Sequence, residues 1–182
     1  MRINQVKQIA INLSPKSIQE ATTQLQKIKN RFQKNIKLAT YDLMNLSYNL
    51  MIELFKNANL SNHINNLNKE LTDNGYGFRL WTSDWIVIFN EYGTGIVGEG
   101  THPNPQNYQY NIQTSYKDKN GRWVYYNEDI ESYVSTYGMK AKHMFYDLEV
   151  MLKDKMKEFY SIATQCAIND EQYQNFRNSL RG

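Results

Sequence analysis

Leu25, Ile28, Phe32, Ile36, Ala39, Leu43, Leu46, Leu50 and Leu54 step along the chain at intervals of three or four. The mean step is close to the helical repeat, so the apolar face stays in place along a straight helix. Ser14-Pro15 and then Ser17-x-x-Glu20 supply start signals, a proline for the first turn and a capping-box pattern. No Gly or Pro interrupts the stripe before Asn57. A helix over 15–57 would be about 60 Å long at ~1.5 Å per residue. A compact domain of this size has a radius of gyration of roughly 16 Å. Such a helix bends, breaks or projects, and a projecting apolar stripe needs a partner.

The rest of the chain follows shorter rhythms. Ile9, Ile11 and Leu13 alternate and predict a strand over 5–13. Residues 57–74 are Asn-rich and poorly periodic, which predicts a loop with a short helix. Phe78 and Leu80, then Trp85, Val87 and Phe89, show period two around Thr82-Ser83-Asp84 and predict a hairpin. Residues 93–107 read as a loop. Strands are expected over 108–116 and 123–126, joined by a turn at Asn120-Gly121. Residues 132–136 are extended. A second helix runs from Ala141 to about Ile168, with Phe145, Leu148, Leu152, Met156, Phe159 and Ile162 on one side.

Strands cluster between the two long helices and do not alternate with them. This predicts an α+β fold in which a long N-terminal amphipathic helix and a C-terminal helix pack on an antiparallel sheet. The chain reads as a single domain over 1–182. Residues 1–14 form an N-terminal strand or arm, 15–168 the body, and 169–182 a polar, frayed C-terminal tail.

Composition narrows the class. Of the 182 residues, 41% are hydrophobic and 21% charged, a balance that suits a globular chain. The formal charge of +3 does not by itself drive nucleic-acid binding. Cys166 is the only cysteine, so no internal disulfide and no Cys-rich zinc site forms. The first residues, MRINQVKQIAINL, lack the apolar run of a signal peptide. No window reaches the ~18 apolar residues of a membrane span. These features are compatible with folding in a reducing cytoplasm and point to no membrane partner.

The most conspicuous chemical motif is EYGTGIVGEGTHPNP, with G-x-G-x-x-G at Gly93, Gly95 and Gly98. A dinucleotide turn needs a helix immediately afterwards, with its amides on the pyrophosphate. Here Gly98-Glu99-Gly100, Pro103 and Pro105 break any regular helix, and Glu91 and Glu99 repel phosphate. No nucleotide or other cofactor is expected. His63, His102 and His143 are scattered without metal-ligand spacing, and no Ser-His-Asp or paired-carboxylate pattern appears, so neither a metal nor an enzymatic role is expected. His143 reads as a surface or capping residue and Cys166 as a small buried one.

Three blocks in order, FNEYGTGIVGEGTHP, GRWVYY and TYGMKAKHMFYDL, resemble the head–tail joining proteins of long-tailed bacteriophages, also termed tail-completion or neck proteins. In that family a strand ends in an acidic residue, an aromatic and Gly-Thr-Gly, as Glu91, Tyr92, Gly93, Thr94 and Gly95 do. A Trp-rich strand follows, as at 123–126. Gly138, Ala141, Met144 and Phe145 match the segment that enters the last helix. The resemblance spans roughly 15–165. Lys142-His143-Met144 departs from the small residue or proline usual before that helix.

The resemblance implies a structural virion protein, a homo-oligomeric ring (commonly a hexamer) in the neck, assembled in the host cytoplasm. One side would meet the connector or head-completion protein below the portal, the other the tail terminator or tail tube. The genome would pass through the lumen without specific binding. Glu91, Tyr92, Gly93, Thr94, Gly95, Gly98 and Gly100 would then form a docking loop, mobile when free, whose backbone reshapes on contact. The alternative function is nucleic-acid binding through Lys27, Lys29, Arg31, Lys34 and Lys37.

Overall fold

A computed structural model describes residues 14–98, 101–103, 122–127, 130–171 and 173–179. The expected strands over 5–13 and 108–116, and the Asn120-Gly121 turn, lie outside the described residues. The elements run α1 (Pro15–Asn57), β1 (Asn68–Thr72), β2 (Gly77–Trp81), α2 (Trp85–Tyr92), α3 (Gly95–Gly98), β3 (Trp123–Asn127), β4 (Ser132–Thr136), α4 (Met144–Ile168) and α5 (Tyr173–Ser179). The class is α+β. The described strands form two separate two-stranded sheets, β1 with β2 and β3 with β4.

α1 is one unbroken helix of 43 residues. Its cap is Ser14, one turn earlier than the expected Ser17 box. The Ser17 N–H donates to Ser14 Oγ at 3.3 Å, and the Ser17 hydroxyl donates to the Ser14 carbonyl at 3.1 Å. Pro15 therefore takes the first helical position, where a missing N–H costs nothing. The helix stops at Asn59, whose φ of 57° is left-handed. Leu60 N–H then reaches back to the Phe55 carbonyl at 2.8 Å and Asn59 N–H to Lys56 at 3.0 Å, the paired bonds of a Schellman end.

The chain divides into two compact units. The first comprises residues 1–47, 69–79 and 152–182. Its core joins Ala39 and Leu43 of α1 to Phe159, Ala163 and Cys166 of α4 and to Tyr173 of α5. The alanines let the helix backbones approach closely. Two polar side chains in the seam find partners: the Asn35 amide donates to the Ala163 carbonyl, and Thr40 pairs with the Tyr160 hydroxyl at 3.1 Å. Residues 169–182, expected as a polar tail, contain α5. Tyr173 is fully buried, Phe176 sets its ring edge-on to Phe159, and Arg177 bonds Asp42 at 2.7 Å. Two aromatics three residues apart, Tyr173 and Phe176, give this polar segment apolar area to dock.

The second unit comprises residues 48–68 and 80–151. Met51 and Phe55 of α1, Val87 of α2, and Met144 and Leu148 of α4 are buried here. Phe55 and Phe145 meet edge-on with centroids 6.5 Å apart. β3 and β4 pair antiparallel, Tyr125 opposite Val134.

Other expectations fail within these units. Residues 68–72, expected in a loop, form β1. The strand expected at 85–89 is the helix α2, so β2 pairs with β1 instead. The cause is Asp84, which caps α2 by accepting the Ile86 N–H at 2.9 Å. α4 starts at Met144, three residues after Ala141, because residues 139–143 bond to the α2–α3 segment instead of to one another.

Candidate functional site

Two of the three blocks that carry the phage resemblance meet in the second unit, around the turn that follows α2. Two signals fix that helix. At its start, Asp84 also receives His63 Nδ1 at 2.7 Å and the Asn66 amide. Burial pushes the Asp84 carboxyl up, but the bonds from His63, Asn66 and the Ile86 amide outweigh it and hold the carboxyl below its ordinary value. At the other end, the Gly93 N–H closes on the Phe89 carbonyl at 2.9 Å.

Gly93 then turns with φ 75°. A β-carbon there would stand 2.8 Å from the Ala141 nitrogen and 2.9 Å from the Met139 oxygen, both backbone atoms that cannot give way. At Gly98 a β-carbon would fall 2.6 Å from the same Met139 oxygen. Two backbone segments touch here, and glycine is what permits it.

Hydrogen bonds stitch the two segments together. Thr94 N–H donates to Met139 O at 2.8 Å and Met139 N–H to Thr94 O at 3.0 Å, an isolated antiparallel bridge. Val97 N–H donates to Tyr137 O. The Thr101 hydroxyl accepts the Ala141 N–H at 2.9 Å and donates to the Gly98 carbonyl. Lys142 N–H donates to Asn90 O at 2.6 Å, and the Lys142 ammonium reaches the Ala58 carbonyl at the end of α1.

Glu91 completes the arrangement. It is 2% exposed. Its Oε2 accepts the Phe145 N–H at 2.8 Å, and its Oε1 accepts the Tyr146 N–H at 3.2 Å. These are the second and third residues of α4, whose amides have no partner within the helix. A carboxylate also suits the positive end of the helix dipole. His102 Nε2 lies 3.3 Å from Oε1, and its ring sits between Tyr92 and Tyr146, with centroids 5.3 and 5.8 Å away. Burial and the Glu91 charge both push the Tyr92 hydroxyl up.

The expected docking residues thus divide. Glu91, Gly93, Thr94 and Gly98 are buried, and Tyr92 is half-buried. Gly95 opens the single turn of α3; Gly100 lies outside the described residues. Gly93 and Gly98 provide close backbone packing. Within 93–107, expected as a loop, residues 95–98 form the single turn of α3, and the described part bonds to residues 137–141 and to Glu91. Val97 and Pro103 face solvent.

Sequence reasoning missed the cap itself. Glu91 lies 54 residues before Phe145, and no local pattern links them. His143 stands at the N-terminal end of α4 but turns its ring to Asp147 at 2.9 Å, leaving the amides to Glu91. Of the basic face, Arg31 bonds the Ala167 carbonyl and Asp170, and Lys37 sits over the Tyr76 ring at 4.9 Å. Lys27, Lys29 and Lys34 are exposed. Among the described residues no cluster of three or more His, Cys, Asp or Glu is placed to hold a metal ion. No described helix is long and apolar enough to cross a membrane.

Comparison of the chain with protein-family models, with curated proteins and with solved structures finds no match.

Proposed function

We propose that this chain is a structural protein of the neck of a long-tailed bacteriophage, a subunit of a ring that joins the head connector to the tail. The observation that carries this reading is the first half of α1. Ile18, Leu25 and Phe32 stand 49, 55 and 41% exposed on one side of a 43-residue helix. Large apolar side chains at helical spacing on a surface mark a place where another chain sits. The three blocks of the resemblance add to it. Two of them, although some 45 residues apart, meet in one bonded turn, as residues that act together in one family would.

The ring would contact the head-completion or connector protein on one side and the tail terminator or tail tube on the other. α3 and the bonded residues 93–98 offer a surface for one such contact. Of the five basic residues considered for nucleic acid, Arg31 and Lys37 are engaged within the first unit, which leaves three and weakens that alternative.

Immuno-electron microscopy tests this reading. An antibody against the chain should label the junction of head and tail in particles that carry it. Label over the capsid shell or along the tail, or no label on intact particles, would refute it.

A further inference from the structure

The two units carry opposite charge. The first holds fifteen Lys and Arg against eight Asp and Glu, a net +7. The second holds six against ten, a net −4, and together these return the chain's +3. We infer that copies of this chain join head to tail, the basic first unit of one copy docking through the exposed apolar side of α1 onto the acidic second unit of the next. This rests on the ring proposed above and says what closes it: a heterologous contact, repeated until the rotation returns to its start.

The competing arrangement is a coil of two equivalent α1 helices. Ile18, Ala21, Leu25, Ile28 and Phe32 follow the alternating steps of three and four that a coiled-coil seam uses. But residues 15–37 carry six bases and one acid. Two such stretches side by side bring mostly like charges together, with Glu20 the one acid in either stretch to relieve them. The second unit has what this face lacks. On the first turns of α4, Val150 and Met151 are 57 and 47% exposed, and the exposed Glu149 stands beside them. Apolar area flanked by carboxylate meets apolar area flanked by ammonium. Charge arranged this way speeds encounter and rejects the like-charged pairing.

Salt separates the two arrangements. Screening weakens a contact between opposite charges and strengthens one between like charges. Sedimentation velocity on the full chain should show association that falls at least tenfold when salt rises from about 50 mM to about 500 mM. Lys27→Glu with Lys34→Glu should weaken it at least tenfold at low salt, and Glu149→Lys should weaken it likewise, all with an unchanged circular dichroism melt. Leu25→Ser, which removes apolar area and no charge, should weaken it at both salts. Rings that tighten with salt, or that ignore both salt and the charge variants, would overturn the head-to-tail contact and leave the ring standing. A wild-type chain that stays monomeric at every salt would remove the ring and this contact together.

Discussion

Glu91 Oε2 lies 2.8 Å from the backbone nitrogen of Phe145, so a carboxylate at the end of one helix closes the start of another 54 residues away. Removing it takes the capping oxygens from the Phe145 and Tyr146 amides. Glu91→Ala should cost about 2–4 kcal/mol in chemical unfolding, since each buried group left unbonded forfeits its solvation. Amide exchange at Phe145 and Tyr146 should speed selectively. Unchanged exchange there would mean that α4 is capped in some other way.

Gly93 tests the close approach of the two backbone segments. Gly93→Ala puts a β-carbon against Ala141 and Met139 at positive φ, and should destabilise by about 2 kcal/mol or more. Hydrogen exchange should lose protection at Thr94 and Met139, the paired residues of the bridge. A stable variant with both amides still protected would contradict the packing role.

Asp84 gives a pH dependence. Its folded carboxyl titrates below the ordinary value, so its stabilisation is present above the unfolded pKa and is lost as pH falls through the folded one. Asp84→Asn keeps a capping oxygen and removes the charge. The urea midpoint of wild type should exceed that of the variant at pH 7, and the gap should close below about pH 4. A gap that persists in acid would show that the charge is not its source.

Tyr173 separates packing from hydrogen bonding in the first unit. Its ring is fully buried, but its hydroxyl has no hydrogen-bond partner among the described residues. Tyr173→Phe should therefore leave stability unchanged or raise it by up to about 1 kcal/mol. Tyr173→Ala opens a cavity and should cost about 3–5 kcal/mol. Equal losses from both would show that the hydroxyl is bonded after all.

What could be read from the sequence follows the range of the forces involved. α1 was legible because its cap, its proline and its uninterrupted stripe are local. The same holds for β4 and for the apolar side of α4. α2 was misread because Ile86, Val87 and Ile88 favour a strand by propensity, and a capping aspartate with a buried Asn90-Glu91 overrides that. Asp84 was the available signal. β1 carried none: Asn68–Thr72 reads NKELT, and its strand state comes from pairing with β2. α5 was hidden by polar composition, although Tyr173 and Phe176 share one side of a helix. The acidic-aromatic Gly-Thr-Gly motif was visible from the start. Its role was not, because the atoms that require glycine belong to residues 139 and 141.

Assembly through the exposed side of α1 is the central claim, and Phe32 probes it most directly. Phe32 is 41% exposed, so Phe32→Asp removes apolar surface without opening the core. Native mass spectrometry of the full chain and of this variant, at matched concentration, measures the outcome. Wild type should give one closed stoichiometry, and Phe32→Asp should shift it to monomer with an unchanged melting temperature. A variant ring with the same mass and abundance as wild type would contradict the account.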